Sequence, residues 1–126
     1  MTSEIQVKRI YAPALAEDGL RILVDRLWPR GMSKANAKVD LWLKGATPSH
    51  DLRRWFHAHG DQYDEFTRRY QQELETVPSE CWRSILKDSP DRITLVTAVK
   101  QIDHSHVPIL QAFIQRQRKM SRNELT

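Results

Sequence analysis

One stretch, residues 20–31, constrains the fold of this chain more than any other. It begins with the short, largely apolar run Leu20 to Val24, which is typical of a buried strand. The run ends in the pair Asp25-Arg26, and a Trp28-Pro29 bend and the pair Arg30-Gly31 follow. A buried strand does not itself require charged groups where it ends. The stretch therefore predicts a strand whose carboxyl end contributes to a polar site.

The composition is that of one globular domain. The chain has 126 residues, of which 40% are hydrophobic and 29% are charged. No apolar run approaches the roughly 18 residues of a spanning helix, and the first residues lack the pattern of an export signal. The single cysteine, Cys81, cannot form a disulfide within the chain and fits a reducing compartment. We therefore expect a cytoplasmic protein without a membrane partner.

The positive charge is concentrated at the end of the sequence. The formal net charge is +4, but residues 116–126 contain four basic residues and one acidic residue. The remainder, with 16 basic and 15 acidic residues, is close to neutral. The apolar spacing also ends at Gln115. This pattern predicts a single domain over residues 1–115 and a basic, flexible tail over residues 116–126.

Three further stretches predict strands. Residues Ile5 to Ile10 alternate between apolar and polar side chains, and Val39 to Lys44 form a short apolar run. Residues Ile93 to Val99 are rich in β-branched side chains and are bounded by turn residues, which is typical of a fully buried strand.

Capping residues and apolar spacing predict the helices. Ser33 can cap a short helical turn, and Ser49 can cap a helix that ends near Ala58. Apolar residues recur at helical spacing from Tyr63 to Leu74, again around Trp82 to Leu86, and finally from Val107, where Asp103 or Ser105 is the candidate cap. These elements predict an α/β fold: a single three-layer domain with a small, mostly parallel sheet and helices on both faces.

Charged side chains follow three of the four predicted strands. In sheets of this kind, ligands bind beyond the carboxyl ends of the strands. If the three ends share one edge, arginine and lysine side chains there form a positive crevice suited to phosphate or carboxylate. The residues concerned are Asp25, Arg26 and Arg30, then Lys44, and finally Lys100, Asp103, His104 and His106.

Other interpretations of these residues remain open. Charges at strand ends are commonly solvated or paired with neighbours, and Trp28 and Trp42 suit packing at the core or its rim. The His104-Ser105-His106 sequence lacks the further ligands of a zinc site, so we predict no metal. The chain also lacks a nucleophile elbow and a glycine-rich phosphate loop. For proton transfer the best candidate is His106, because a basic pocket favours a neutral imidazole.

The same residues carry a family resemblance. The segment Arg21 to Gly31 resembles the signature of the YeaO-like family, small bacterial proteins grouped as domain of unknown function 488. The similarity continues through residues 40–56, 66–74 and 100–106, and so covers nearly the whole chain before the tail. It implies a compact α/β protein without a settled activity. Matching charged positions are Asp25, Arg26, Arg30, Lys44, Lys100 and His106; His104 does not match, and Thr97, Gln101 and Ser105 depart from the family pattern.

We therefore expect the protein to bind or act on a small anionic ligand, phosphate-bearing or nucleotide-like, in a basic pocket. Arg26, Arg30, Lys44 and Lys100 are the predicted ligand-binding residues, and Asp25 and His106 are the predicted catalytic residues. The alternative is a nucleic-acid or protein-interaction module that uses the tail and surface arginines such as Arg53, Arg54, Arg68 and Arg69. The sequence indicates no cofactor, reaction or oligomeric state, and it does not decide between an enzyme and a binding protein.

Overall fold

A computed structural model of the chain describes residues 5–86 and 91–125, and contains one four-stranded sheet. The strands are β1 (Ile5–Arg9), β2 (Leu20–Leu23), β3 (Leu41–Trp42) and β4 (Ile93–Thr97). Their order is β1-β4-β2-β3, and every described pairing is parallel. The predicted α/β fold with a parallel sheet is confirmed, although β3 is shorter than the predicted run from Val39 to Lys44.

In the described ranges, five α-helices follow the predicted pattern, with short 3-10 turns between several elements. They are α1 (Lys34–Ala37), α2 (His50–Ala58), α3 (Tyr63–Glu75), α4 (Arg83–Leu86) and α5 (Val107–Leu125). Two predicted caps are confirmed, since the Ser33 hydroxyl accepts a hydrogen bond from the Asn36 amide and the Ser49 hydroxyl accepts one from the Leu52 amide. Ser105, rather than Asp103, caps the start of α5, because its Oγ accepts from the Val107 amide at 3.2 Å.

Helix α5 continues past Gln115, where the apolar spacing ends and the basic tail was expected to begin. Its last turns are rich in Gln, Arg, Lys and Met, which favour a helix even without an apolar stripe. Arg118 is only 3% exposed, so part of the expected tail packs on the protein. The division into a domain over residues 1–115 and a basic, flexible tail over residues 116–126 stays a prediction.

The two faces of the sheet carry different layers. Side chains alternate between the faces along each strand. Ile22 and Leu95 face the larger core, to which α2, α3, α4 and α5 contribute buried residues. Leu23 and Val96 face the other way and form a smaller cluster with Ala37 of α1. Helices therefore cover both faces, as the three-layer prediction required. Within the described ranges, no helix is long and apolar enough to span a membrane.

A buried ion cluster lies on the face that α1 covers. Asp18 and Arg21 are 1% and 4% exposed, and Asp18 Oδ2 accepts from Arg21 Nη1 at 2.7 Å. Lys8 Nζ lies 3.0 Å from Asp18 Oδ1, and Arg21 Nη2 donates to the Ala37 carbonyl at the end of α1 at 2.9 Å. Burial alone raises the pKa of Asp18, but hydrogen bonds from the Leu15 amide, Lys8 and Arg21 bring this pKa below its usual value. We call Lys8, Asp18 and Arg21 the ion cluster.

Candidate functional site

A cleft of about 260 Å³ opens beside α2, near the carboxyl ends of β2 and β4. This is the edge at which parallel sheets usually bind ligands. Two predicted site residues, Arg26 after β2 and His106 before α5, line the cleft together. The full lining is Arg26, Thr47, Pro48, Arg53, Phe56, His57, Phe66, His104, Ser105 and His106. None of these ten described residues is acidic.

One face of α2 supplies Arg53, Phe56 and His57, which have the i, i+3, i+4 spacing of helical neighbours. The Arg53 Nε atom is buried and has no hydrogen-bond partner within the described part of the chain. The Nη2 atom of the same side chain lies 3.4 Å from His50 Nδ1. A buried donor without a partner costs about 1–3 kcal/mol, so this guanidinium favours an added acceptor.

Arg26 is the second guanidinium of the cleft. It is exposed and lies in the loop that leaves β2. It makes no ion pair or hydrogen bond with the residues that the structure describes. Two arginines without a lining carboxylate make the cleft electropositive, which is the condition for holding phosphate or carboxylate.

Aromatic rings form the apolar part of the cleft. The Phe56 ring stacks on the buried Phe66 ring at 4.1 Å, with 15° between their planes. The His104 ring lies 5.5 Å from Phe56 and stacks on Tyr63 at 4.9 Å. A 2.7 Å contact between His104 Nε2 and the Gly60 carbonyl holds this ring in place. The Tyr63 hydroxyl in turn donates to the Ser105 carbonyl at 2.6 Å.

His106 is held as a neutral imidazole. Its Nε2 lies 2.7 Å from the Val24 carbonyl, and because a carbonyl only accepts, Nε2 carries the proton and Nδ1 is left as an acceptor. Burial lowers the pKa of His106, although the hydrogen bond to Val24 and the charge of Asp25 act in the opposite direction. This lowered pKa has the direction that the sequence predicted for a positive pocket, but its main cause is burial.

Asp25 joins β2 to β4. Its Oδ1 accepts from the Thr97 hydroxyl at 2.6 Å, and its Oδ2 accepts from the Ala98 amide at 2.7 Å. Both carboxylate oxygens are therefore engaged with the protein itself. Asp25 does not line the cleft, and its contacts hold the strand end from which Arg26 projects.

The other predicted ligand-binding residues do not line this cleft. Lys44 Nζ lies 4.9 Å above the Trp42 ring. Arg30 and Lys100 are exposed, and the Arg30 carbonyl accepts from the Tyr11 hydroxyl at 3.0 Å. Gly31, which follows Arg30, has φ of 79°, a conformation that glycine adopts without strain. The roles of Arg30, Lys44 and Lys100 stay predictions.

Sequence reasoning missed the α2 side of the cleft. It assigned Arg53 to a possible nucleic-acid surface and gave Phe56 no role in a site. The spacing of Arg53, Phe56 and His57 places all three on one helical face, and this pattern was available in the sequence. Among the described residues, no group of three or more His, Cys, Asp or Glu side chains is placed to hold a metal ion.

Two surface arginines named for nucleic-acid binding are paired. Arg68 and Arg69 both donate to Glu65 Oε2, at 2.6 and 2.7 Å, and these hydrogen bonds lower the pKa of Glu65 to about 2. The Arg69 guanidinium also lies 4.1 Å from the centre of the Trp55 ring. These contacts reduce the positive charge that this face offers to phosphates.

Comparison with known proteins places the chain among small uncharacterised bacterial proteins. A family model described as the inactive DUF488-N3 subclade, DUF488-N3i, matches residues 4–125. The chain is 43% identical to the uncharacterised protein YeaO of Escherichia coli over 108 residues, which are 84% of this chain and 92% of YeaO. It is 37% identical to an uncharacterised protein of Mycobacterium tuberculosis over 110 residues, which are 86% of this chain and 91% of that protein. No solved structure matches the chain.

Proposed function

The chain belongs to the DUF488-N3i family, the inactive DUF488-N3 subclade, and from this premise we propose that it binds a small anion in the cleft beside α2 without converting it. The observation that carries the proposal is the Arg53 Nε atom, a buried donor in an electropositive cleft without a partner among the described residues. A ligand oxygen at this atom would satisfy it, and Arg26 would add a second charge-assisted contact.

The hydroxyl groups of the cleft support binding rather than covalent chemistry. The Ser105 hydroxyl donates to the Ile102 carbonyl at 2.6 Å and accepts from the Val107 amide, so it caps α5. The Thr47 hydroxyl donates to the Lys44 carbonyl at 3.0 Å. Neither hydroxyl is paired with a base that would make it a nucleophile. The family description as inactive points in the same direction.

Within this proposal the predicted catalytic residues have binding and positioning roles. His106 lines the cleft and offers Nδ1 as an acceptor, which suits a ligand that carries a proton on a hydroxyl or on a monoprotonated phosphate. Asp25 positions Arg26 through its bonds to Thr97 and Ala98. The single cysteine, Cys81, is free, and we propose the cytoplasm as the compartment.

Isothermal titration calorimetry tests the proposal with inorganic phosphate, acetate, benzoate and phenyl phosphate. We expect at least one of these anions to bind, and we expect Arg26→Ala and Arg53→Ala each to weaken it roughly ten- to hundredfold, as for lost hydrogen bonds to charged groups. Arg68→Ala is the matched control, because Arg68 is paired with Glu65 and does not line the cleft.

The proposal fails if none of the four anions binds, or if binding is unchanged in both cleft variants. The nucleic-acid alternative predicts a different pattern. Salt-sensitive binding of DNA or RNA that Arg68→Ala weakens, and that Arg26→Ala leaves unchanged, would favour that alternative.

A further inference from the structure

The rings of the cleft indicate which anions fit it. Phe56 is half-buried and His104 is exposed, while Phe66 is only 2% exposed and supports the Phe56 ring. The His104 ring is fixed on one side by Tyr63 and by the contact of its Nε2 with the Gly60 carbonyl. The cleft therefore presents two positioned rings before any ligand arrives, so that little ordering is needed on binding.

The size of the cleft suits a ligand with one ring. Its volume of about 260 Å³ lies just below the range of about 300–1,000 Å³ typical of sites for drug-sized ligands. A single six-membered ring with one acidic group fits this space. A purine nucleotide adds a second fused ring and a sugar, and the cleft is small for it.

The arginine side chains of the cleft lie near its aromatic rings, so they can contact the acidic group of such a ligand. Arg53 is one helical turn before Phe56 on the same face of α2, so its guanidinium and the Phe56 ring are neighbours. A ligand whose ring packs on Phe56 would bring an acidic substituent to the same helical face as Arg53. Aliphatic anions gain the same charge contact but lack the ring contact.

We propose, resting on the anion site described above, that the ligand class is a small aromatic acid with one ring, whose carboxylate or phosphate binds Arg53 and Arg26 and whose ring packs on Phe56 and His104. The cleft should therefore bind an aromatic acid more tightly than a saturated acid of the same charge and size. It also assigns a specificity role to His104 and to Phe56, of which the sequence had placed only His104 at the predicted crevice.

The test compares benzoate with cyclohexanecarboxylate, which have the same charge and the same number of carbon atoms. We expect calorimetry on the full chain to give a roughly two- to tenfold tighter dissociation constant for benzoate, the gain usual for aromatic pairs beyond area burial. In Phe56→Leu this preference should fall to about one. Phe113→Leu is the matched control, because Phe113 packs against Trp82 and does not line the cleft.

A second measurement does not depend on a core substitution. Benzoate, but not cyclohexanecarboxylate, should produce a ring-current shift of the His104 imidazole protons in the proton NMR spectrum. His104→Ala removes an exposed ring, so this variant should fold and should lose part of the benzoate preference.

The outcomes separate the two proposals. Equal affinity for the two acids, with both weakened by Arg26→Ala, overturns the aromatic class and leaves the anion site standing. Tighter binding of a purine nucleoside monophosphate than of benzoate overturns the restriction to one ring. If neither acid binds and phosphate and acetate also fail, the anion site itself is wrong.

Discussion

The ion cluster and the cleft are both rich in charge, yet their partners differ. In the ion cluster, Arg21 and Asp18 are almost fully buried, and each donates or accepts several hydrogen bonds within the protein. In the cleft, the buried Arg53 Nε atom has no hydrogen-bond partner among the residues that the structure describes. Arg26 forms no ion pair with those residues either. The difference teaches that charge alone does not mark a site. Satisfied charges hold the fold together, and unsatisfied charges at an accessible edge are available to a ligand.

The largest expected effect is on the ion cluster. Asp18→Ala leaves Arg21 and Lys8 without their carboxylate, and breaking a buried pair in this way typically costs about 3–5 kcal/mol. Urea denaturation should therefore show a large drop in the free energy of unfolding. Glu65→Ala, which removes the carboxylate of the exposed cluster with Arg68 and Arg69, is the control and should cost far less. Equal losses in the two variants would break the comparison.

A smaller loss is expected at Asp25, which lies at the border between the two regions. Asp25→Asn keeps the shape of the side chain but removes its charge and replaces one of the two oxygens that accept from Thr97 and Ala98 with an NH2 group that only donates. We expect a loss of about 1–2 kcal/mol in the free energy of unfolding. Asp61→Asn, at an exposed loop position, is the control and should change little. Unchanged stability in Asp25→Asn would remove the positioning role and restore Asp25 as a candidate for chemistry.

The next effect is a pH dependence of stability that arises from His106. Its pKa is lowered in the folded protein, so the unfolded chain takes up a proton first as the pH falls below about 6.5. Stability from His106 is therefore complete above that pH and is lost as the pH falls through the lowered pKa, at about 1.4 kcal/mol per unit of difference.

His106→Gln keeps a donor for the Val24 carbonyl but does not titrate. The free energy of unfolding of the wild type should fall more steeply than that of this variant on acidification from pH 7. The other four histidines are common to both proteins, so the difference isolates His106. Parallel curves would show that His106 is not buried in its neutral form.

The smallest expected change in the free energy of unfolding comes from a substitution in the cleft. Arg26→Ala removes an exposed guanidinium without a described partner, and we expect a change within about 0.5 kcal/mol in the free energy of unfolding. The same urea experiment measures it. A larger loss of stability would show that Arg26, like the ion cluster, stabilises the fold. The contrast between the ion cluster and the cleft would then be wrong.

Local pattern was enough to predict most of the fold. Residues that are close in sequence determine the apolar runs of the sheet, the caps at Ser33 and Ser49 and the apolar stripe of α3. These features can therefore be predicted from the sequence. The last turns of α5 lack an apolar stripe, so the apolar spacing did not predict them, and yet Arg118 is buried. Burial there depends on what the helix packs against, which spacing along the chain does not show.

The candidate site was predicted only in part. Arg26 and His106 were expected near the same sheet edge, and both line the cleft. Lys44, Arg30 and Lys100 were grouped with them because they follow strands, but position after a strand does not decide which way a side chain points. Arg53 and Phe56 were missed because they lie on a helix that sequence reasoning had assigned to packing and surface charge.

The sequence by itself determined the α/β class, the family and the presence of charged groups at the carboxyl ends of the strands. Only the tertiary structure decided which of these charges have partners. Asp25 meets Thr97 and Ala98 across 72 and 73 residues of chain, and His106 meets Val24 across 82. Such pairs form because the parallel strands β2 and β4 lie side by side. The physical reason is that helices and strands depend mainly on residues that are close in sequence. Whether a buried charge has a hydrogen-bond partner depends on residues that are close only in the folded structure.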